Sequence, residues 1–417
     1  MRKLEARDLF SRNLPARHAT GLRWRIVFML STIFAVLFLG TLIITIVDDA
    51  FGYVVMVNET DPASLARDGK ALEDQDADGL RATLDENLSP RRARALERDK
   101  PFAERDRDDL YAVAIAEIVM PEIAKTYTLF DSIFAKGAIR EETARDYPDG
   151  TLTFRAWVTP RFMGAPQSAV PLAAGVRTAI LGTLMTIIIT ILFAFPVGIA
   201  AAVWLEEYAT DNRLNRFIQV NIYNLAGVPS IIYGMLGLAI FVRGLEPLTS
   251  GAMFGASTGG DVANGRTVMS AGLTLALLIL PVIIINAQEA IRAVPSTLRQ
   301  SSLAVGATKW QTVRHHVLPV SFDRILTGTV LAVSRAIGET APLVVVGAST
   351  FLTQDPTSPF SKFTTLPIQI YQWTSRPQEE FRHLAAAAIL VLLVLMLSLN
   401  AFAIVMRNRL RKRKRFA

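Results

Sequence analysis

The sequence predicts an all-α integral membrane protein: six transmembrane helices, with a mainly helical acidic insert after the first. Three observations lead there. Of 417 residues, 51% are hydrophobic and 19% charged, and the apolar ones gather into uninterrupted runs longer than a water-soluble core requires. Charge is divided unevenly: positions 48–170 hold 24 acidic and 16 basic side chains, a balance of −8, so the remainder of a +7 chain carries +15. Both ends are basic, with seven Arg or Lys in 2–25 and seven in 407–415.

The tail 1–25 leads into the first span, 26–47, long enough to cross about 30 Å of hydrocarbon as a helix. A cleaved signal peptide would have a shorter apolar run and a small-x-small site before Asp48, so this run is expected to stay as an anchor. The insert 48–170 mixes charge with scattered apolar residues (Tyr111, Ile115, Ile118, Phe130, Ile133, Phe134), which suits a solvated helical domain better than a disordered tail. Further spans are expected at 178–205, 217–242, 267–288, 325–352 and 384–406, each of spanning length once tilt is allowed. They make 171–406 a five-helix core, and 407–417 a second basic tail.

Six spans return the chain to its starting side, and the positive-inside rule places both basic ends in the cytoplasm. The insert, 244–266 and 353–383 then lie outside. Loop 292–320 lies inside, with four basic residues (Arg292, Arg299, Lys309, Arg314) and no acidic one. In the short loop 206–216, Glu206, Glu207 and Asp211 outnumber Arg213 and Arg216, which the rule tolerates because acidic residues weigh little in it. No internal repeat of fixed period stands out, and the Gly-rich stretch 251–265 reads as a flexible external loop.

Composition also excludes chemistry. The absence of cysteine rules out thiolate metal sites, Fe–S clusters, a cysteine nucleophile and structural disulfides. Four histidines supply little for metal binding. No Gly-Lys-Ser/Thr closes a phosphate-binding loop, so any ATP that is used must be held, with its magnesium, by another chain. No cofactor is expected here. The expected contacts are with membrane lipid and other protein chains, and none with nucleic acid.

Two segments are polar where a membrane protein is usually not. The first is 334–342, Ser-Arg-Ala-Ile-Gly-Glu-Thr-Ala-Pro. Counted from Arg324 at the inner surface, Arg335 lies eleven residues in, about 16 Å along a helix, and an intramembrane charge is a functional candidate by default. Glu339 follows four residues later on the same face and can pair with it. Pro342 cannot donate to the carbonyl of Gly338, so the helix should kink or open beside Glu339, making Gly338 and Pro342 a hinge. Broken backbone at membrane depth is tolerated where it is buried or lines a polar cavity, and a guanidinium fork matches tetrahedral oxyanions. Arg335 and Glu339 are thus candidates for substrate translocation along an anion path; mutual neutralisation inside a bundle is the alternative. Gly328, Ala332, Ala336 and Thr340 recur every four residues, a stripe that allows close approach of a partner helix, one from a second subunit included.

The second segment is the internal loop 295–319. Ser296 is expected to cap a short helix, Gly306 to suit its C-terminal turn, and Thr308 to cap a second helix ending before Pro319. Leu303, Val305, Trp310, Val313 and Leu318 would project from it, and apolar side chains on a cytoplasmic loop need a protein surface to cover them. A docking helix for a cytosolic partner, or a loop packed on itself, would account for them.

Together these segments resemble the permease subunits of binding-protein-dependent ABC importers, and more closely the PstA-type phosphate branch of that family. The loop resembles the family's EAA loop: Gly306, Leu318 and Pro319 match, while Gln300-Ser301-Ser302 replaces Glu-Ala-Ala and His316 replaces Ile. The stretches 306–314 and 335–343 carry the resemblance, which covers about 170–406, includes Gly227-Val-Pro-Ser230, and leaves out the insert. It implies an ABC importer permease fold in the bacterial inner membrane. It further implies a PstC-like second permease, two PstB-like ATP-binding subunits and a periplasmic PstS-like phosphate-binding protein. ATPase coupling would fall to Leu303, Val305, Gly306, Trp310, Leu318 and Pro319, and the family's transport-critical positions would map onto Arg335 and Glu339. A permease for sulfate or molybdate, or a membrane sensor using the periplasmic insert, are the alternatives; a sensor lacks a cytoplasmic signalling domain, and an intramembrane hydrolase lacks His-Glu-x-x-His or paired intramembrane aspartates.

Overall fold

The long apolar runs become long helices, and the first and last of them continue through the charged residues that flank them. A computed structural model describes residues 14–67, 69–255 and 264–415. The basic residues before position 14 and the middle of the Gly-rich stretch lie outside them. The chain divides into two compact units, one ending at Arg155 and the other beginning at Ala156.

In the first unit the helix Leu14–Ala50 contains the expected first span and extends it at both ends. Its apolar side chains, Phe34 and Leu37 among them, are exposed, as a lipid-facing surface requires. Strand β1 (Phe51–Asn58) follows directly. Gly52 permits this: a Cβ there would lie 1.9 Å from the carbonyl oxygen of Tyr127. With β2 (Pro121–Thr126) and β3 (Thr151–Ala156) it forms a sheet of order β2-β1-β3. β1 and β2 pair antiparallel, Val54 opposite Thr126 and Met56 opposite Ile123, with a bulge between Val55 and Met56. The insert is helical around this sheet, which composition alone does not announce.

Its helical part corrects the expectation of no repeat. At an offset of 30 residues, a 3₁₀ turn with a buried apolar residue (Leu72, then Phe102) leads to a capping aspartate and a helix, Ala77–Asn87 and then Arg107–Ala114. Asp76 accepts from the Gly79 N–H at 2.9 Å and Asp106 from the Asp109 N–H at 2.8 Å, satisfying free donors at each helix start. Leu80 and Leu110 are fully buried at the same register position, and both modules share one core. The carboxylates serve as caps and ion pairs; among the described residues no group of three acidic or histidine side chains converges on a metal site.

The second unit is built on the fourth span, Val268–Arg292, which a Thr267–Ser270 capping box starts. It is the most buried of the spans. Glycines set its distance from the second span, Arg177–Tyr208: a Cβ on Gly198 would lie 2.6 Å from Ile283 Cγ2, and one on Gly272 2.5 Å from Ile189 Cγ2. Such small-residue contacts let helices pack where lipid offers no hydrophobic drive. The sixth span is the helix Glu379–Arg415, its first turns buried and its remainder largely exposed. Residues 156–170, grouped with the insert by charge, belong to this second unit; Trp157 stacks on His383 at 5.4 Å.

Two spans depart from expectation. The third is broken: Arg213–Ala226 and Ser230–Gly244 meet at a bend of 107°. Gly227 ends the first half, and Pro229 disfavours helical geometry at Val228. The fifth begins earlier and ends earlier than 325–352, its apolar helix running Lys309–Ile337. Among the described residues, five helices are therefore long and apolar enough to cross a membrane, or six if the bent pair is one span. The small-residue stripe of the fifth span packs within the chain, on the fourth span: a Cβ on Gly328 would lie 2.6 Å from Asn286 Cβ.

Candidate functional site

Arg335 stands in the last turn of the helix Leu318–Ile337, which is continuous from Arg324, so the eleven-residue spacing holds along its axis. Beyond it the backbone opens. Gly338 and Glu339 donate to the carbonyls of Arg335 and Ala336 at 3.2 and 3.3 Å, a tightening last turn. A new short helix, Ala341–Val346, then starts with Pro342 in its first turn, where a missing N–H costs nothing. The expected opening beside Glu339 is therefore a full break. Arg335 Nε reaches Glu339 Oε1 at 3.4 Å, with the arginine side chain 53% exposed and the glutamate 17%. That single long contact leaves most of the guanidinium's donors available.

The broken third span supports this break. A Cβ on Gly234 would lie 2.7 Å from Pro342 Cα, and one on Gly237 2.1 Å from Thr274 Oγ1. Two glycines three residues apart thus wedge the second half of the third span between the short helix and the fourth span. Buried Tyr233 donates its hydroxyl to the Leu225 carbonyl at 2.6 Å, tying the two halves together across the bend. Pro342, Leu343 and Val346 are buried, so one side of the break is firmly seated. Gly338 is sterically undemanding, since a Cβ there would meet nothing closer than the Arg335 carbonyl at 3.8 Å. Gly347, with φ +106, ends the short helix in the left-handed conformation that glycine allows; its place after the apolar Val344-Val345-Val346 was the available signal.

The loop 292–320 is two short helices. Ser296 opens the first, Ser296–Ala304, without capping it; Pro295 holds the cap position and no side-chain bond forms there. Gly306 takes the left-handed conformation, φ +86, as its C-terminal turn requires. Thr308 caps the second helix in a box with Gln311. That helix does not end before Pro319. It passes through a π-helical turn, Val313–Val317, into the fifth span, and the wider turn accommodates a proline that a regular helix would expel. Leu303, Val305 and Trp310 are exposed, Val305 at 85%. Val313 is fully buried and Leu318 packs against the same cluster, so these two are core residues rather than projecting ones.

A clamp that sequence reading missed fixes this loop. Arg299 donates through Nε and Nη2 to Glu207 Oε1 at 2.9 and 2.8 Å, and through Nη1 and Nη2 to the Val294 and Ile291 carbonyls at 2.7 and 2.8 Å. Those carbonyls lie at the end of the fourth span, where groups fall short of helical partners; that of Ile291 also accepts from the Val294 N–H at 3.1 Å. Beside it Arg292 pairs with Glu206 at 2.6 Å. Two of the three acidic residues that weighed against the orientation of 206–216 are thus neutralised by the loop they face, and the third, Asp211, pairs with Arg216. At the departure from the EAA pattern, the buried Ser302 hydroxyl bonds Thr312 at 2.9 Å and Gln300 is exposed.

Residues 194–416 match the family of binding-protein-dependent transport system inner membrane components. The chain belongs to that family, and is a multi-pass, non-catalytic membrane subunit of an ABC transporter. Its relatives include the probable ABC transporter permease protein YqgI of Bacillus subtilis, 32% identical over 214 residues (51% of this chain, 66% of that one). The phosphate transport system permease protein PstA 1 of Mycobacterium tuberculosis is 35% identical over 207 residues (49% and 62%). PstC 2 of Mycobacterium bovis is 35% identical over 182 (42% and 56%). The chain thus matches less than two thirds of the length of each of these relatives. The methionine transporter MetNI aligns at 18% identity over 56% of this chain and 95% of its own, with a TM-score of 0.41.

Proposed function

We propose that the chain is a PstA-type permease subunit that carries inorganic phosphate from periplasm to cytoplasm in an ATP-driven importer. The observation that carries this reading is the lightly paired Arg335 at the break of the fifth span: a guanidinium fork with free donors, beside opened backbone. The sequence relationship to PstA 1 supports phosphate as cargo. A PstS-like protein delivers phosphate at the outer face, and a PstC-like permease completes the path. Two PstB-like subunits bind Mg-ATP and press on Leu303, Val305 and Trp310, while Gly306 shapes that surface.

Closure then moves the loop as a rigid body, because Arg299 and Arg292 bind it to the second and fourth spans and Leu318–Pro319 continue it into the fifth. Phosphate passes Arg335, and Glu339 competes for the guanidinium so that the anion leaves. Both termini are cytoplasmic in this arrangement. An arginine fork alone also accepts sulfate or molybdate. Uptake of radiolabelled phosphate in a strain lacking its own phosphate importer, competed with sulfate, molybdate and arsenate, tests the reading: competition by arsenate alone is expected, and uptake suppressed by sulfate or molybdate would make it a permease for another oxyanion.

A further inference from the structure

A second cationic site lies in the same unit. A cavity of about 730 Å³ opens at the Thr267 end of the fourth span, where the broken third span ends at Gly244. This is the end opposite the 292–320 loop, about 37 Å away along a 25-residue helix. Among the described residues its walls carry Arg243, Arg266 and Lys362 against one carboxylate, Glu246, with Ser349 beside them. Among the described residues, neither Arg243 nor Arg266 has an ion-pair or hydrogen-bonding partner for its guanidinium.

Two glycines build this wall. A Cβ on Gly265 (φ +73) would lie 2.4 Å from the Val242 carbonyl oxygen, so the segment bearing Arg266 is laid directly on the residue before Arg243. A Cβ on Gly347 would lie 2.6 Å from Arg266 Cδ; the stem of Arg266 crosses the glycine that ends the short helix Ala341–Val346. That helix starts beside the Arg335–Glu339 pair. Pair and cavity therefore stand at the two ends of one element about 9 Å long.

We propose that this cavity is an outer anion-binding vestibule, in which Arg243 and Arg266 hold a tetrahedral oxyanion before it reaches Arg335, with Lys362 adding its charge to the wall. A cleft lined by one sign of charge concentrates counter-ions, and two guanidinium forks suit a tetrahedral oxyanion. Glu246 leaves the walls with a net of two positive charges, enough to attract the anion without trapping it. The step towards Arg335 rests on the importer reading; the anion site itself does not.

The absence of cysteine provides the test. Ser349→Cys in the assembled complex places one thiol on this chain at the cavity. It is modified with the anionic sulfonatoethyl or the cationic trimethylammonioethyl methanethiosulfonate, and the chain's mass is followed with time. Relative to the same reagents on free cysteine, the anionic one should gain at least about tenfold, and millimolar phosphate should slow it. Arg243→Gln with Arg266→Gln should abolish both effects, while Arg266→Lys, which keeps the charge, should retain the preference if the fold is intact. Equal reaction of the two reagents, no protection by phosphate, or a preference that survives the double substitution would overturn the vestibule. Uptake by the unmodified complex separates this from the larger reading: if phosphate, sulfate and molybdate all fail to enter while preference and protection persist, the anion site stands and the importer reading falls.

Discussion

Of the arginine–glutamate pairs in the second unit, Arg299–Glu207 and Arg335–Glu339 join the same residue types and differ in kind. Arg299 meets Glu207 with two donors and spends two more of its five on carbonyls, and the glutamate side chain is 8% exposed. Arg335 meets Glu339 with one donor at 3.4 Å and remains half exposed. The first arrangement is saturated, so its role is to hold a loop against two spans. The second is unsaturated, so it can exchange its partner for an anion. What separates a clamp from a binding group here is how many donors are already used, not the presence of charge.

Removing one partner from the saturated pair should have the largest effect on stability. Arg299→Ala strands a buried carboxylate and uncaps the fourth span, a loss expected at about 3–5 kcal/mol; denaturant unfolding of the purified complex measures it, and an unchanged midpoint would show that the clamp is dispensable. Next comes the support of the break. Gly234→Ala forces a methyl against Pro342 backbone 2.7 Å away, an overpacking cost of about 1–3 kcal/mol. Gly338→Ala meets nothing closer than 3.8 Å and should stay within about 0.5 kcal/mol. If the two variants unfold alike, the wedge at Gly234 is not what seats the short helix.

Val305→Asp should leave the unfolding of this chain unchanged, since the side chain is 85% exposed, yet weaken retention of the ATP-binding subunits on purification. Retention at the parental level would place docking elsewhere. The smallest effect belongs to the first unit, at the solvent-accessible ion pairs Lys125–Glu142 and Arg145–Asp146. Hydrogen bonds from Lys125 and then Tyr127 hold Glu142 below the usual carboxylate range, and Arg145 does the same for Asp146. Depressed carboxylates stabilise the fold above their unfolded pKa and lose that contribution as pH falls through the lower folded value. Hydrogen exchange across 122–146 should therefore stay flat from neutral pH to about 4 and accelerate, after correction for intrinsic rates, only below it. Protection lost already between pH 7 and 5 would point to another titrating group.

Legibility in the sequence followed the strength of the physical signal. Spans one, two, four and six were visible because a helix in lipid must be apolar over its whole length. The third was expected unbroken and the fifth with later bounds because hydropathy does not register backbone breaks: Gly227-Val228-Pro229 sits inside an apolar run, and Pro319 is absorbed by a π turn rather than ending a helix. Strand β1 was hidden because the first helix runs on through Asp48 and Asp49 to Ala50 and the strand follows with no turn between them. The 30-residue repeat escaped because its shared positions are few and its apolar residues differ, Leu72 against Phe102. Arg335 and Glu339 could be paired from spacing alone, a local rule. The Arg299–Glu207 clamp joins residues 92 apart, and no local rule reaches it.

The most direct test of the unsaturated arginine is uptake of radiolabelled phosphate by proteoliposomes containing the complex with Arg335→Gln, alongside its unfolding transition. The expected result is loss of uptake with a stability change within about 1 kcal/mol, the range for an exposed ion pair. Wild-type uptake by a fully assembled Arg335→Gln complex would contradict the account.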